Sequence, residues 1–275
     1  MKKFICLLIF AFHKIIFPQN SYEFFPGNLN IQPFTANILE PKVGTIFQLN
    51  SNNLNLDIGN SLDIIHVIKN DSSVYSFGAD FFTYTLLRSE KDFHFPVDAI
   101  DYLFGINIGY KKQSGCNEFG ARFRLSHISA HFVDGHFDGQ KNAWREGNNP
   151  RVYSREFIEL IPFYKLNDFR IYVGYTFIFH VDPSYLGKNS FQFGFDYYFN
   201  NILSRYLNPF VGYDLKFVKI NKYSGNNSFY AGIKFGYSYG RGFSIFYNYY
   251  SGKSIQGEYF DYNNKYSAIG FNLDL

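Results

Sequence analysis

The sequence predicts an all-β protein, a transmembrane antiparallel β-barrel of about twelve strands. Three observations carry this. Apolar residues alternate with polar or small ones along most of the chain, which is the period of a strand. Aromatic residues make up 22% of the 275 residues and charged residues only 18%. The mean hydropathy is −0.19, too polar for a helical membrane protein. A barrel reconciles the three: lipid-facing apolar side chains alternate with lumen-facing polar ones, and rings gather at headgroup level. A soluble β-sandwich would be unusual with so many rings. The net charge of +3 is too small to argue for nucleic acid.

Residues 1–19 read as a secretory signal. Lys2 and Lys3 form the basic end, and Phe4 to Phe12 form an apolar core too short to span a bilayer as a helix. Cys6 would leave with it, so Cys116 is the single mature cysteine and no intramolecular disulfide is expected. Residues 20–42 form an irregular lead-in interrupted by Pro26, Pro33 and Pro41. Residues 43–275 are the barrel, with no linker or second domain.

The expected strands are 43–50, 53–68, 72–88, 101–112, 116–132, 150–165, 168–181, 189–200, 206–219, 227–240, 242–251 and 264–275. The first is weak and the second long, so roughly ten to fourteen strands stay compatible with the pattern. Alternation is clearest in the second half. Phe169, Ile171, Val173, Tyr175, Phe177 and Phe179 share one face, opposite Arg170, Gly174, Thr176 and His180. Phe191, Phe193, Phe195, Tyr197 and Phe199 oppose Gln192, Gly194, Asp196 and Asn200. In the last strand Ile269, Phe271, Leu273 and Leu275 oppose Ala268, Gly270, Asn272 and Asp274.

Working back from a periplasmic C-terminus, the turns at 240–242, 166–167, 113–115 and 69–71 fall on the periplasmic side and are short. The connections 252–263, 220–226, 182–188, 133–149 and 89–100 fall outside and are mostly longer, the asymmetry expected of such barrels. The lumen of so small a barrel should be filled by side chains, with Arg122, Arg124, Asp196, Asp214 and Lys234 among them.

One segment carries chemistry: Arg122-Phe123-Arg124-Leu125-Ser126-His127-Ile128-Ser129-Ala130-His131. An arginine facing lipid at mid-membrane costs about 2–4 kcal/mol, so Arg122 and Arg124 should face the lumen. His127 and Ser129 then face lipid near the outer end of their strand. A serine needs an adjacent base to become a nucleophile, and the imidazole needs an orienting group. Glu156, on the next strand at similar depth and on the face of Val152, Ile158 and Leu160, is the best candidate. Asn142 and Asn148 are weaker ones. Next to this segment, His131, Asp134, His136 and Asp138 lie at the mouth of the longest outer loop. Imidazoles with carboxylates could hold a divalent cation such as calcium. A run of solvated loop residues is the alternative.

Several resemblances rest on these residues. The ending Gly270-x-x-Leu273-x-Leu275 resembles the signal read by the barrel-insertion machinery, which implies that machinery as a partner and the bacterial outer membrane as the location. The His127-x-Ser129 pair resembles that of the outer-membrane phospholipase A family, and with a carboxylate it resembles the lipid A 3-O-deacylases. Those enzymes usually follow the serine with asparagine, where this chain has Ala130. A wider resemblance joins Gln32-Pro33-Phe34-Thr35-Ala36-Asn37, Asp98-Ala99-Ile100-Asp101-Tyr102, the His127-x-Ser129-x-His131-x-x-Asp134 segment and Tyr153-Ser154-Arg155-Glu156. Together these are similar to family 1207 of domains of unknown function, with departures at Ala130, Val133 and Gly135. That resemblance implies an outer-membrane-type barrel and no assigned activity.

Three functions are compatible with the sequence. The first is a non-enzymatic outer-membrane protein, structural or binding through its outer loops. The second is a lipid acyl hydrolase using Ser129, His127 and Glu156 on outer-membrane lipids. The third is a narrow channel for small solutes.

Overall fold

A computed structural model describes residues 20–200, 202, 204 and 206–274. The expected signal segment 1–19 and the terminal Leu275 lie outside the described residues. The strands are β1 (Ser21–Phe24), β2 (Val43–Gln48), β3 (Asn53–Ile68), β4 (Ser73–Arg88), β5 (Val97–Ser114), β6 (Asn117–Phe132), β7 (Phe137–Asp138), β8 (Ala143–Trp144), β9 (Tyr153–Leu166), β10 (Phe169–Asp182), β11 (Asn189–Tyr198), β12 (Leu207–Lys219), β13 (Tyr223–Gly236), β14 (Gly242–Lys253) and β15 (Asn263–Asp274). No described helix is long and apolar enough to cross a membrane.

Twelve of these strands close an antiparallel barrel. Neighbours in sequence pair as hairpins, β6 pairs β9 across the longest loop, and β15 pairs β2 to complete the ring. The small hairpin β7–β8 sits inside that loop. The alternation read from the sequence sets the faces. Phe193, Ile171, Val173, Ile269, Phe271 and Leu273 point outward and are exposed. Arg122, Arg124, Arg170, Asp196, Asp214 and Lys234 point inward and are buried. So many exposed rings and aliphatic chains on one continuous surface require lipid as their solvent. The chain is an integral outer-membrane protein.

Two expected strands move most. The strand expected at 227–240 runs from Tyr223 to Gly236. Beyond Gly236 the chain bends, so that Tyr239 donates from its hydroxyl to Asp196 at 2.8 Å and Gly240 accepts from Lys234 Nζ at 2.7 Å. The strand expected from residue 101 begins at Val97, because Ala99 and Ile100 find partners in Phe132 and His131.

Residues 25–42 turn into the lumen. β1 adds to the edge of β3 near the 69–72 turn, pairing Phe24 with Ile65. The chain then leaves the sheet and buries Ile31, Phe34, Ala36 and Leu39 inside the barrel before joining β2. Its polar groups find partners on the wall. The Asn30 backbone N–H donates to Asp63 at 2.7 Å. Arg170 donates to the carbonyls of Gln32 and Pro33 at 2.9 and 2.6 Å and pairs with Asp196 at 2.8 Å. Glu40 accepts from both terminal nitrogens of Arg122 at 2.8 and 2.5 Å and lies 3.7 Å from Arg124. Arg124 in turn meets Asp80 at 3.0 Å and Glu159 at 3.5 Å. Buried charges persist only when paired, and the lead-in supplies part of that pairing.

The loop end of the barrel is closed differently. Residues 254–262 fold over the mouth, where Phe260 joins Leu103, Ile128, Ala130, Tyr153, Phe157 and Ile178 in an apolar cluster. Gly257 donates its N–H to Asp101 at 2.8 Å. A Cβ at Gly257 would lie 2.2 Å from the Tyr153 ring, so only glycine allows this approach. The lumen is therefore occupied from both ends.

Candidate functional site

The site lies on the outer wall across β5, β6, β9 and β10. In β6 the inward burial of Arg122, Arg124 and Ser126 turns Phe123, Leu125, His127 and Ser129 to the lipid side. A slip of one residue would carry both arginines into lipid. Register across the strands then sets one row: Phe104 opposite His127, His127 opposite Glu156, and Glu156 opposite His180. The next row toward the loops is Tyr102, Ser129, Ser154 and Asp182.

Within the first row the side chains are joined. His127 Nδ1 lies 2.6 Å from Glu156 Oε1, and His180 Nδ1 lies 2.5 Å from Glu156 Oε2. The side chains of His127 and Glu156 are 27% and 28% exposed, and that of His180 is 60% exposed. The Phe104 ring lies against the His127 ring with centroids 4.9 Å apart. With Nδ1 committed to the carboxylate as a donor, Nε2 of His127 is left as the acceptor, the tautomer a general base requires. Ser129 shares the outward face of His127 one row away, and among the described residues no hydrogen bond joins the two side chains.

The weaker orienting candidates lie elsewhere. Asn142 sits in the β7–β8 turn with a φ of 49°. Asn148 accepts from the Tyr262 hydroxyl at 2.8 Å, on the loop side.

The expected cation ligands are dispersed. His136 is buried, with its ring stacked 4.1 Å from Phe132, and Nδ1 faces Asp98 at 3.5 Å and the Tyr259 hydroxyl at 3.3 Å. Asp138 accepts from the backbone N–H groups of Gln140 and Lys141 at 3.1 and 3.2 Å. Those two hydrogen bonds hold its carboxyl below the usual carboxylate range, more than offsetting the cost of partial desolvation. The His131 ring tilts against Tyr102 with centroids 6.0 Å apart. Among the described residues no group of three or more His, Cys, Asp or Glu side chains could hold a metal ion. The His131 and His136 rings pack on aromatic neighbours, and Asp138 turns to the N–H groups of its own loop.

His180 is the member of the site that sequence alternation placed inward. Strand β10 alternates as expected up to Ile178, but its register against β9 shifts between Ile178 and His180. This β-bulge leaves Phe179 and His180 both exposed and returns Val181 to the interior. No break in the alternation marks it: Phe179-His180 continues the apolar–polar pattern, and the bulge shows only in the pairing with β9.

A family model described as a protein of unknown function (DUF1207) matches residues 101–274. Among solved structures, outer membrane phospholipase A from Escherichia coli is similar with a TM-score of 0.54 and 12% identity, covering 90% of this chain and 94% of that one. The Salmonella typhi outer membrane phospholipase, a dimer with bound calcium, gives 0.53 and 13%, with the same coverage. At such identities the likeness is one of fold. No curated protein sequence matches the chain.

Proposed function

The chain belongs to the DUF1207 family of proteins of unknown function, and on that premise we propose that this outer-membrane barrel is a serine acyl hydrolase working on membrane lipid at its own outer wall. Ser129 is the nucleophile, His127 the base and Glu156 the orienting carboxylate. The observation that carries the reading is the 2.6 Å contact of His127 Nδ1 with Glu156 on the lipid-facing surface, with Ser129 on the same face. Polar groups on such a wall are costly unless used or covered.

In the proposed reaction Ser129 Oγ forms a bond to the acyl carbonyl carbon, and its proton passes to His127 Nε2. The ester C–O bond then breaks, and the departing alcohol oxygen takes that proton. Water attacks the acyl-serine, gives a proton to His127, and the fatty acid leaves as Ser129 recovers its hydrogen. Glu156 holds the ring and stabilises its charged form. The Ser129–His127 hydrogen bond forms with substrate in place, as such bonds commonly tighten in the bound complex.

Both compared structures are phospholipases by name, and that class of substrate suits a site exposed to lipid. The filled lumen supports this reading over a channel. We assign calcium no ligand in this chain, because among the described residues no group of three or more His, Cys, Asp or Glu side chains could hold a metal ion. Added calcium is one arm of the assay. The outward row Ile269, Phe271 and Leu273 supports a C-terminal strand read by the insertion machinery.

The test is fatty-acid release from phospholipid or lipid A in mixed micelles by the purified, folded full chain. It is run with and without calcium, alongside labelling of Ser129 by a fluorophosphonate. Release that Ser129→Ala abolishes is expected. A folded barrel inert on both lipids and unlabelled at Ser129 rejects the reading.

A further inference from the structure

We propose that His180 is a positioning residue that acts through Glu156, delivered to the outer wall by the β-bulge of β10. The inference rests on the hydrolase reading, and it concerns a residue outside the Ser129–His127–Glu156 set.

Without the bulge, His180 would follow Thr176 and Ile178 into the lumen. The register shift places it directly opposite Glu156, where its Nδ1 meets Oε2 at 2.5 Å. Glu156 Oε1 is already engaged by His127 at 2.6 Å. Each carboxylate oxygen thus takes one imidazole, from the strands on either side. A glutamate with three rotatable side-chain bonds and only one partner would sample several orientations of its carboxylate plane. A second donor on the other oxygen fixes that plane, and with it the direction of Oε1 toward His127. It also satisfies an oxygen that would otherwise face lipid unpaired.

The local surroundings leave no other side chain for that task. Phe104 lies on the far side of the His127 ring. Among the described residues Glu156 has no side-chain partner besides the two imidazoles. Bulges are built features that re-aim a side chain, commonly beside active sites. This one costs the sheet a regular pair and places an imidazole on a lipid-facing surface.

His180→Ala and His180→Gln in the folded full chain test the proposal with two independent measurements. One is turnover of a micellar ester, separating kcat from KM. The other is the ¹⁵N resonance of the His127 ring in histidine-labelled protein, which reports its tautomer whether or not the protein is active. Heat-modifiable migration on a gel confirms that each variant is folded. His180→Ala should lower kcat roughly ten-fold with KM nearly unchanged, short of the roughly 10²-fold that a 1 Å misplacement of a catalytic group can cost. It should also convert His127 from the Nδ1–H tautomer to a mixture. The glutamine variant, which can still donate to Oε2, should recover much of both.

Unchanged His127 resonances in a folded His180→Ala variant overturn the proposal, even with activity lost, because His180 would then act other than through Glu156. Changed resonances with undiminished kcat overturn it as well. Wild-type protein that is inert while its His127 resonance responds to His180→Ala rejects the hydrolase reading and leaves the positioning contact standing.

Discussion

His127 Nδ1 and Glu156 Oε1 meet at 2.6 Å across the β6–β9 pair, two side chains that are 29 residues apart in the chain and directly opposite in the sheet. The contact makes a definite kinetic prediction. Ser129→Ala and His127→Ala should each reduce ester turnover by at least about 10³-fold, as loss of a triad member does. Glu156→Gln keeps the shape and loses the charge, and should cost about 10²–10⁴-fold. Single-turnover hydrolysis of a chromogenic ester by folded protein measures all three.

Glu40 and Arg122 form the tightest link between the lead-in and the barrel wall. Glu40→Ala leaves Arg122 and Arg124 short of a carboxylate in the interior, where breaking a buried pair costs about 3–5 kcal/mol. The urea midpoint for loss of the heat-modifiable band should fall accordingly. An unchanged midpoint would mean that the lead-in is not seated in the lumen.

Phe193 pairs with Val173 and points to lipid. Phe193→Arg should destabilise the barrel by about 2–4 kcal/mol if it lies at mid-membrane. Equilibrium unfolding in lipid vesicles reads this directly.

Asp261 pairs with Arg151 at 2.9 Å and helps hold the 254–262 loop over the mouth. The hydrogen bond from Arg151 holds its carboxyl below the usual range. A lowered folded pKa contributes stability that is present above the unfolded value of about 3.9 and lost as pH falls through the folded one. Hydrogen-exchange protection in residues 254–262 should therefore fall as pH drops below about 4. Arg151→Ala should remove this acid dependence.

With residues 25–42 inside the lumen and Phe260 sealing the loop end, the folded chain should conduct poorly. Planar-bilayer recordings should show no current steps above background. Discrete steps from wild-type protein would restore the channel reading.

The barrel was legible because its code is local. Alternation at i and i+2 assigned the outward row Phe191, Phe193 and Phe195 and the inward row Gln192, Gly194 and Asp196 without knowledge of any partner. The cost of arginine in lipid then oriented β6 and turned His127 and Ser129 outward. Counting from the loop put Glu156 at the same depth. His180 was misplaced because a single extra residue reverses every later side chain, and a bulge is defined by two strands rather than one. The expected ligand group at His131, Asp134, His136 and Asp138 does not assemble: His131 and His136 pack against rings, and Asp138 accepts from the N–H groups of Gln140 and Lys141.

The sequence alone determined the fold class, the strand order and which face of each strand meets lipid, because these follow from side-chain period and transfer cost along one strand. Only the tertiary structure decided what fills the lumen and what surrounds Glu156. Both depend on partners distant in the chain, such as Glu40 with Arg122 and Gln32 with Arg170, which only closure of the barrel brings together.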